Sequence, residues 1–203
     1  MTKLTLIRHG LTDWNVSGRF QGHTDRALSD EGRDQARELA RYLEPLEVAD
    51  VWTSPLRRAR ETAEIAFPDH DIRLDPRLME LHFGEFEGST QIENELHREW
   101  AWWYEDPFGR AAPGGESYGE LRERVVAWYE ELPAEGHVLA FTHSGTIQML
   151  LSHVIGVERP RWRKRFFLRH TSITRILVQD GHAVVERVND TRHLTGEFDP
   201  FFE

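Results

Sequence analysis

Residues 4–15 read LTLIRHGLTDWN. Leu4, Thr5, Leu6 and Ile7 are a short β-favouring run that passes without a break into a cation, an imidazole and a glycine. Arg8 and His9 therefore emerge where a strand ends, and that is where α/β folds place their ligands. Thr12 and Asp13 offer cap-type oxygens ahead of Trp14, which predicts a helical turn whose N–H groups face the same strand end.

The same order, an apolar run followed by polar residues, returns twice. Val48 to Thr53 predicts a second strand. Ser54-Pro55 follows as a cap with proline at the first helical position, so Leu56 to Ala66 is expected to be helix with Arg57 and Arg58 in its first turn. His137 to Thr142, HVLAFT, is apolar on both faces, as a central parallel strand requires. His143 ends it, and Ser144 to Val154 reads as a helix starting beside that histidine.

Between these units the chain supplies layers. Ser29 caps a helix carrying Ala36, Leu39 and Leu43, which Pro45 should end. Asn15 to Arg26 reads as a loop, Ile72 to Leu74 as a brief edge strand, Ser89 to Tyr104 as helix and Glu105 to Glu116 as a loop. Ser117 with Glu120 makes a capping box ahead of Leu121, Val125 and Trp128. Ile173–Gln179 and Ala183–Val188, joined at Asp180-Gly181, predict a hairpin that closes a mixed sheet. The expectation is α/β: a three-layer α/β/α sandwich with a mostly parallel central sheet, one domain over 1–203, and an insertion at about 80–116.

Composition narrows the chemistry. A formal net charge of −10 disfavours nucleic acid and anionic membranes as partners. The absence of cysteine excludes thiolate catalysis and cysteine-ligated zinc. No segment has signal-peptide or membrane-span character, which predicts a cytoplasmic protein. His23, His82, His97, His153, His170 and His193 lack tight metal-ligand spacing, so no metal is expected. The basic run ERPRWRKRFFLRH, 158–170, has the footprint of a nucleic-acid contact but reads better as an amphipathic helix with Trp162 and Phe166 inward.

A parallel sheet brings three strand ends to one edge: Arg8 with His9, Arg57 with Arg58, and His143. Guanidinium forks and helix N-termini around an imidazole complement a phosphoryl group. Neutral histidine is a competent nucleophile toward phosphorus. Glu80, the first carboxylate of a loop able to cover such a pocket, is the expected proton donor to the departing alkoxide, and Glu87 is expected to tie that loop down.

These residues resemble the histidine phosphatase superfamily, in its phosphoglycerate-mutase-like branch. The likeness runs through RHGLTDWN at 8–15, FQGHTD at 20–25, LSDEGRDQA at 28–36, TSPLRRARETA at 53–63, LMELHFGEFEG at 78–88, PGGES at 113–117 and FTHSGTI at 141–147. It implies that His9 is the phosphorylated nucleophile, that Arg8, Arg58 and His143 hold phosphate and that Glu80 donates the proton. Asn15 and the Gln21-Gly22 backbone fall where the family contacts phosphate or substrate, Arg57 falls outside the pocket, and no metal or other cofactor is used; Ser144, next to His143, is a further candidate for substrate binding.

Departures from the mutase pattern favour hydrolysis. Similar mutases carry arginine and tyrosine where this chain has Leu81 and Phe83, a mutase arginine pair falls around Trp102-Trp103, and Leu11 stands where glutamate usually follows RHG. The expected activity is hydrolysis of a small-molecule phosphate monoester. The alternatives are a 2,3-bisphosphoglycerate-dependent phosphoglycerate mutase and, in another class, a non-catalytic phosphoester- or protein-binding module. The aromatic cluster Trp100, Trp102, Trp103, Tyr104 and Phe108 has three readings: core packing, a surface joining a homodimer, or an apolar lid over a bulky alcohol.

Overall fold

A computed structural model describes residues 1–157 and 166–195. Among these, β1 is Thr2–Arg8, α1 Asp13–Val16, α2 Asp30–Leu43, β2 Asp50–Thr53, α3 Arg57–Ala66 and β3 Ile72–Leu74. After two 3₁₀ turns come α4, Gln91–Asn94, α5, Trp100–Glu105, α6, Tyr118–Glu130, β4, Gly136–Thr142, α7, Ser144–Val154, β5, Ile173–Gln179, and β6, His182–Asp190. The strands form one sheet in the order β3-β2-β4-β1-β5-β6. The first four are mutually parallel, and β5 and β6 return antiparallel.

The alternation of side chains along the central strands makes the sandwich. Leu4 and Leu6 of β1, with Val138 and Ala140 of β4, bury one face against Leu121, Val125 and Trp128 of α6 and Ile147, Leu150 and Leu151 of α7. Ile7, Leu139 and Phe141 bury the opposite face against Leu39 and Leu43 of α2 and Ala63 and Ala66 of α3. β4 is the double-sided apolar strand between β2 and β1 that its composition requires. The connection after β1 leaves on the α2–α3 face and that after β4 on the α6–α7 face. The C-terminal ends of these neighbouring strands therefore flank a topological switch point, where such sheets open a crevice.

Several expectations are corrected. The helix after β2 begins at Arg57, not Leu56, and Ser54 does not cap it; Leu56 is the N-cap and makes no side-chain cap bond. Ser89–Tyr104 is not one helix: α4 and α5 are separate, because Asn94 donates to the Phe86 carbonyl while Trp100 and Trp103 turn into the core. β2 begins at Asp50 rather than Val48. Of the basic run, 158–165 lies outside the described residues, as does the tail from Glu197. No helix among the described residues is long and apolar enough to cross a membrane.

Candidate active site

Register carries the two central histidines together. Arg8 pairs with Thr142 across β1 and β4, and the His9 N–H continues the ladder to the Thr142 carbonyl at 2.9 Å. His9 and His143 follow as the first residues past each strand, with ring centroids 5.1 Å apart. His143 is also the N-cap of α7. Arg58, in the first turn of α3 beyond the next strand, is fully buried. Its Nη2 donates to the Gly22 carbonyl at 2.7 Å and its Nη1 to the Thr24 carbonyl at 3.1 Å, so the guanidinium fixes the loop after α1 against the strand ends.

The hydrogen bonds of His9 define its chemistry. Nδ1 lies 2.7 Å from the Gly10 carbonyl. A carbonyl only accepts, so Nδ1 carries the proton and Nε2 keeps its lone pair. Burial, then the charges of Arg58 and Arg8, push the His9 pKa well below 6.5. Burial and Arg58 do the same to His143. Arg58 is itself drawn down by burial to about 10, with Glu80, Asp25 and Glu87 opposing; at neutral pH it remains a cation between neutral imidazoles.

A cleft of about 290 Å³ opens at this edge, lined by Arg8, His9, Asn15, Arg19, Phe20, Gln21, Gly22, Arg58, Glu80 and Phe83, among others. It gathers Arg8, His9, Arg58, Glu80, Asn15, Gln21 and Gly22, while His143 lies fully buried behind His9. Ser144 is not part of the lining; its hydroxyl accepts from Gln148 Nε2 one helical turn on. Arg57 pairs with Glu61 and lines a separate, larger cleft of about 570 Å³ in which Arg26 pairs with Asp13 and Arg33 with Asp30.

Glu80 enters from the other wall. Its Oε1 accepts from the Leu81 N–H at 2.9 Å and its Oε2 from the Gly145 N–H at 3.1 Å. Gly145 is required by this approach, since a Cβ there would lie 2.2 Å from Glu80 Oε1. Glu87 accepts from the backbone N–H groups of His23, Thr24 and Phe83, tying the 80–88 loop to the 20–25 loop. Leu81 points into the core. The aromatic cluster is not a lid: Trp100 and Trp103 are buried and brace Phe20 and Phe83, whose edge-to-face pair, 4.9 Å between centroids, forms the apolar wall of the cleft. Trp102 is 52% exposed.

Four participants escaped the sequence. His170 brings a third buried imidazole within 5.9 Å of the His9 ring, just before Thr171, which holds the left-handed φ of 54°. Ser54 Oγ lies 2.8 Å from His143 Nε2, and Thr62 Oγ1 accepts from the Gly10 N–H at 3.0 Å. Arg124 of α6 reaches the backbone under Glu80. An isolated histidine, serine, threonine or arginine carries no local pattern. Only Ser54-Pro55 gave a signal there, and it pointed to a cap. Among the described residues no group of three or more His, Cys, Asp or Glu side chains is placed to hold a metal ion.

The family model for the histidine phosphatase superfamily, branch 1, matches residues 4–191. The chain is 35% identical over 208 residues to the Escherichia fergusonii protein named probable phosphoglycerate mutase GpmB, covering 96% of this chain and 95% of the relative. Among solved structures it is similar to Bacillus stearothermophilus YhfR, at 32% identity and TM-score 0.86 over 95% of this chain and 99% of that one. It is also similar to a phosphoserine phosphatase from Entamoeba histolytica, solved with 3-phosphoglyceric acid, at 29% identity and TM-score 0.83 over 95% and 99%.

Proposed function

Because the chain belongs to the histidine phosphatase superfamily, we propose that it is a metal-independent phosphatase that hydrolyses small-molecule phosphate monoesters through a phosphohistidine on His9. The observation that carries this reading is the state of that ring: a neutral imidazole with its proton held on Nδ1 by the Gly10 carbonyl, set among the charges of Arg58 and Arg8. The Nε2 lone pair attacks phosphorus as the ester P–O bond breaks. Arg8 and Arg58 neutralise the charge on the equatorial oxygens, and His143 contributes as a neutral hydrogen-bonding imidazole. Glu80 gives its proton to the departing alkoxide, releasing the alcohol. In the second half-reaction Glu80, now a carboxylate, takes a proton from water, whose oxygen attacks phosphorus while the P–N bond breaks. Inorganic phosphate leaves and His9 returns to its starting state.

The wall of Phe20 and Phe83 supports an apolar or aromatic alcohol over a small acidic one, and so does Leu81, buried where similar mutases carry arginine. Phosphate release from p-nitrophenyl phosphate, blocked by vanadate and untouched by EDTA, is the expected result. His9→Ala should abolish both turnover and labelling by a phosphoryl donor. Rapid conversion of 3-phosphoglycerate to 2-phosphoglycerate with negligible phosphate release would instead make the protein a mutase, the activity in the name of its Escherichia relative. No turnover and no labelling with any ester would leave a binding module.

A further inference from the structure

The segment carrying Glu80 has no ladder to hold it. Residues 75–83 run as a 3₁₀ turn followed by backbone that belongs to no strand and makes few main-chain bonds, Asp75 N–H to the Thr53 carbonyl and Glu116 N–H to the His82 carbonyl among them, yet buried carbonyls require donors. Side chains provide them. Thr142 Oγ1 donates to the Leu78 carbonyl at 2.6 Å and Thr146 Oγ1 to the Met79 carbonyl at 2.7 Å. The Glu80 carbonyl accepts from His23 Nε2 at 2.9 Å.

The largest share comes from one residue. Arg124 Nη1 donates to the carbonyls of Arg77 and Met79 at 2.9 and 2.8 Å, and Nη2 to that of Glu80 at 2.8 Å. The remaining donors grip Glu116 as a fork, Nη2 to Oε1 at 2.5 Å and Nε to Oε2 at 3.1 Å. Glu116 Oε1 in turn accepts from the His82 N–H at 3.0 Å. All five guanidinium hydrogens are thus committed, three to the chain at and before Glu80 and two to the carboxylate that pins it just after. The side chains of both partners are about one-fifth exposed.

From this geometry we infer that Arg124, with Glu116, is a positioning residue that sets the place of the Glu80 carboxylate at the leaving-group oxygen. The inference rests on the reading of Glu80 as proton donor. Arg124 lines no part of the cleft and touches no reacting atom; it acts by fixing the backbone from which Glu80 projects. Lysine, a point charge with three donors, cannot make five bonds in one plane, so Arg124→Lys is expected to behave as a loss.

The test is the leaving-group dependence of turnover. For p-nitrophenyl phosphate the phenolate departs with little help, whereas n-hexyl phosphate needs a proton delivered in the transition state. Arg124→Lys should lower kcat on n-hexyl phosphate at least tenfold more than on p-nitrophenyl phosphate, with KM for both nearly unchanged. In a Glu80→Gln background it should add no further discrimination between the two esters. Glu116→Gln keeps the three carbonyl bonds of Arg124 and should shift the ratio in the same direction by a smaller factor; it decides the matter if Arg124→Lys does not fold, as judged by circular dichroism. Equal losses on both esters, or discrimination that persists without Glu80, would overturn the inference while leaving the phosphatase reading intact. If Glu80→Gln itself slows both esters equally, the assignment of Glu80 falls and this inference falls with it.

Discussion

At the scale of single residues the site is governed by close approach. Glu80, the proposed proton donor, takes its place in the cleft because residue 145 has no Cβ, and Gly145→Ala is expected to separate function from stability. A Cβ 2.2 Å from Glu80 Oε1 moves the end of a side chain by about 1 Å rather than the backbone, and a displacement of that size costs up to about 100-fold where a reacting group is concerned. In the first turn of α7, alanine is better than glycine by up to about 1 kcal/mol. The expected outcome is an unchanged or slightly raised Tm with a kcat on alkyl phosphates at least tenfold lower. A fall in Tm of several degrees with full activity would mean that the strain is absorbed elsewhere. None of this was legible beforehand: the motif FTHSGTI marks His143, but nothing in it says that its glycine is a slot for a carboxylate arriving from residue 80.

At the scale of elements, legibility followed the range of the signal. The β1, β2 and β4 strands and the helices α2, α6 and α7 were readable because hydrophobic period, caps and terminators all lie within a few residues of each other. Ser117 and Glu120 form the expected reciprocal capping box, with Ser117 Oγ accepting from the Glu120 N–H at 3.2 Å and Glu120 accepting from the Ser117 N–H at 2.7 Å. Ser54 was misread for a related reason. Its hydroxyl accepts from the Leu56 N–H at 3.3 Å, one residue short of the helix it was expected to cap, and it also lies against His143, 89 residues away, a tertiary contact that local pattern does not show. Arg124 is the same case in larger form, since three of its five acceptors are carbonyls 44 to 47 residues away that only the fold brings to α6. The capping box carries its own expectation. Ser117→Ala should destabilise the protein by about 1 kcal/mol, read from a urea midpoint, and because α6 presents Arg124 the activity on alkyl esters should fall more than that on aryl esters. A midpoint unchanged within error would mean that packing of Trp128 and Val125 alone fixes the helix.

For the molecule as a whole, the same burial that lowers the pKa of the imidazoles clustered at the cleft sets an acid limit on stability. Burial first, then neighbouring cations, holds His9, His143 and His170 well below 6.5. Burial also takes His137, beside Thr5 in the sheet, and His193, beside Thr171, down to about 4. In the unfolded chain these rings titrate near about 6.5. As pH falls below that value the unfolded state gains protons that the folded state refuses, so stability is full above about 6.5 and declines from there toward about 4. Acidification also reduces the net charge of −10 and relieves self-repulsion, but surface charges are screened within about 8 Å at physiological salt, whereas the buried rings are shielded from that screening and all shift in the same direction. The buried histidines therefore win, and the urea midpoint at pH 5 should lie clearly below that at pH 7. The consequence for activity is specific. Burial shifts His9, the proposed nucleophile, in the direction that keeps it neutral below 6.5, so the acid fall in kcat/KM should coincide with loss of native circular dichroism and recover on neutralisation. A fall centred near 6.5 in protein that is still fully folded, and that remains once the ionisation of the phosphate ester near about 6 is accounted for, would mean that His9 titrates as an exposed histidine does, and the enclosed arrangement of Arg8, Arg58 and the three imidazoles would then not describe the working site.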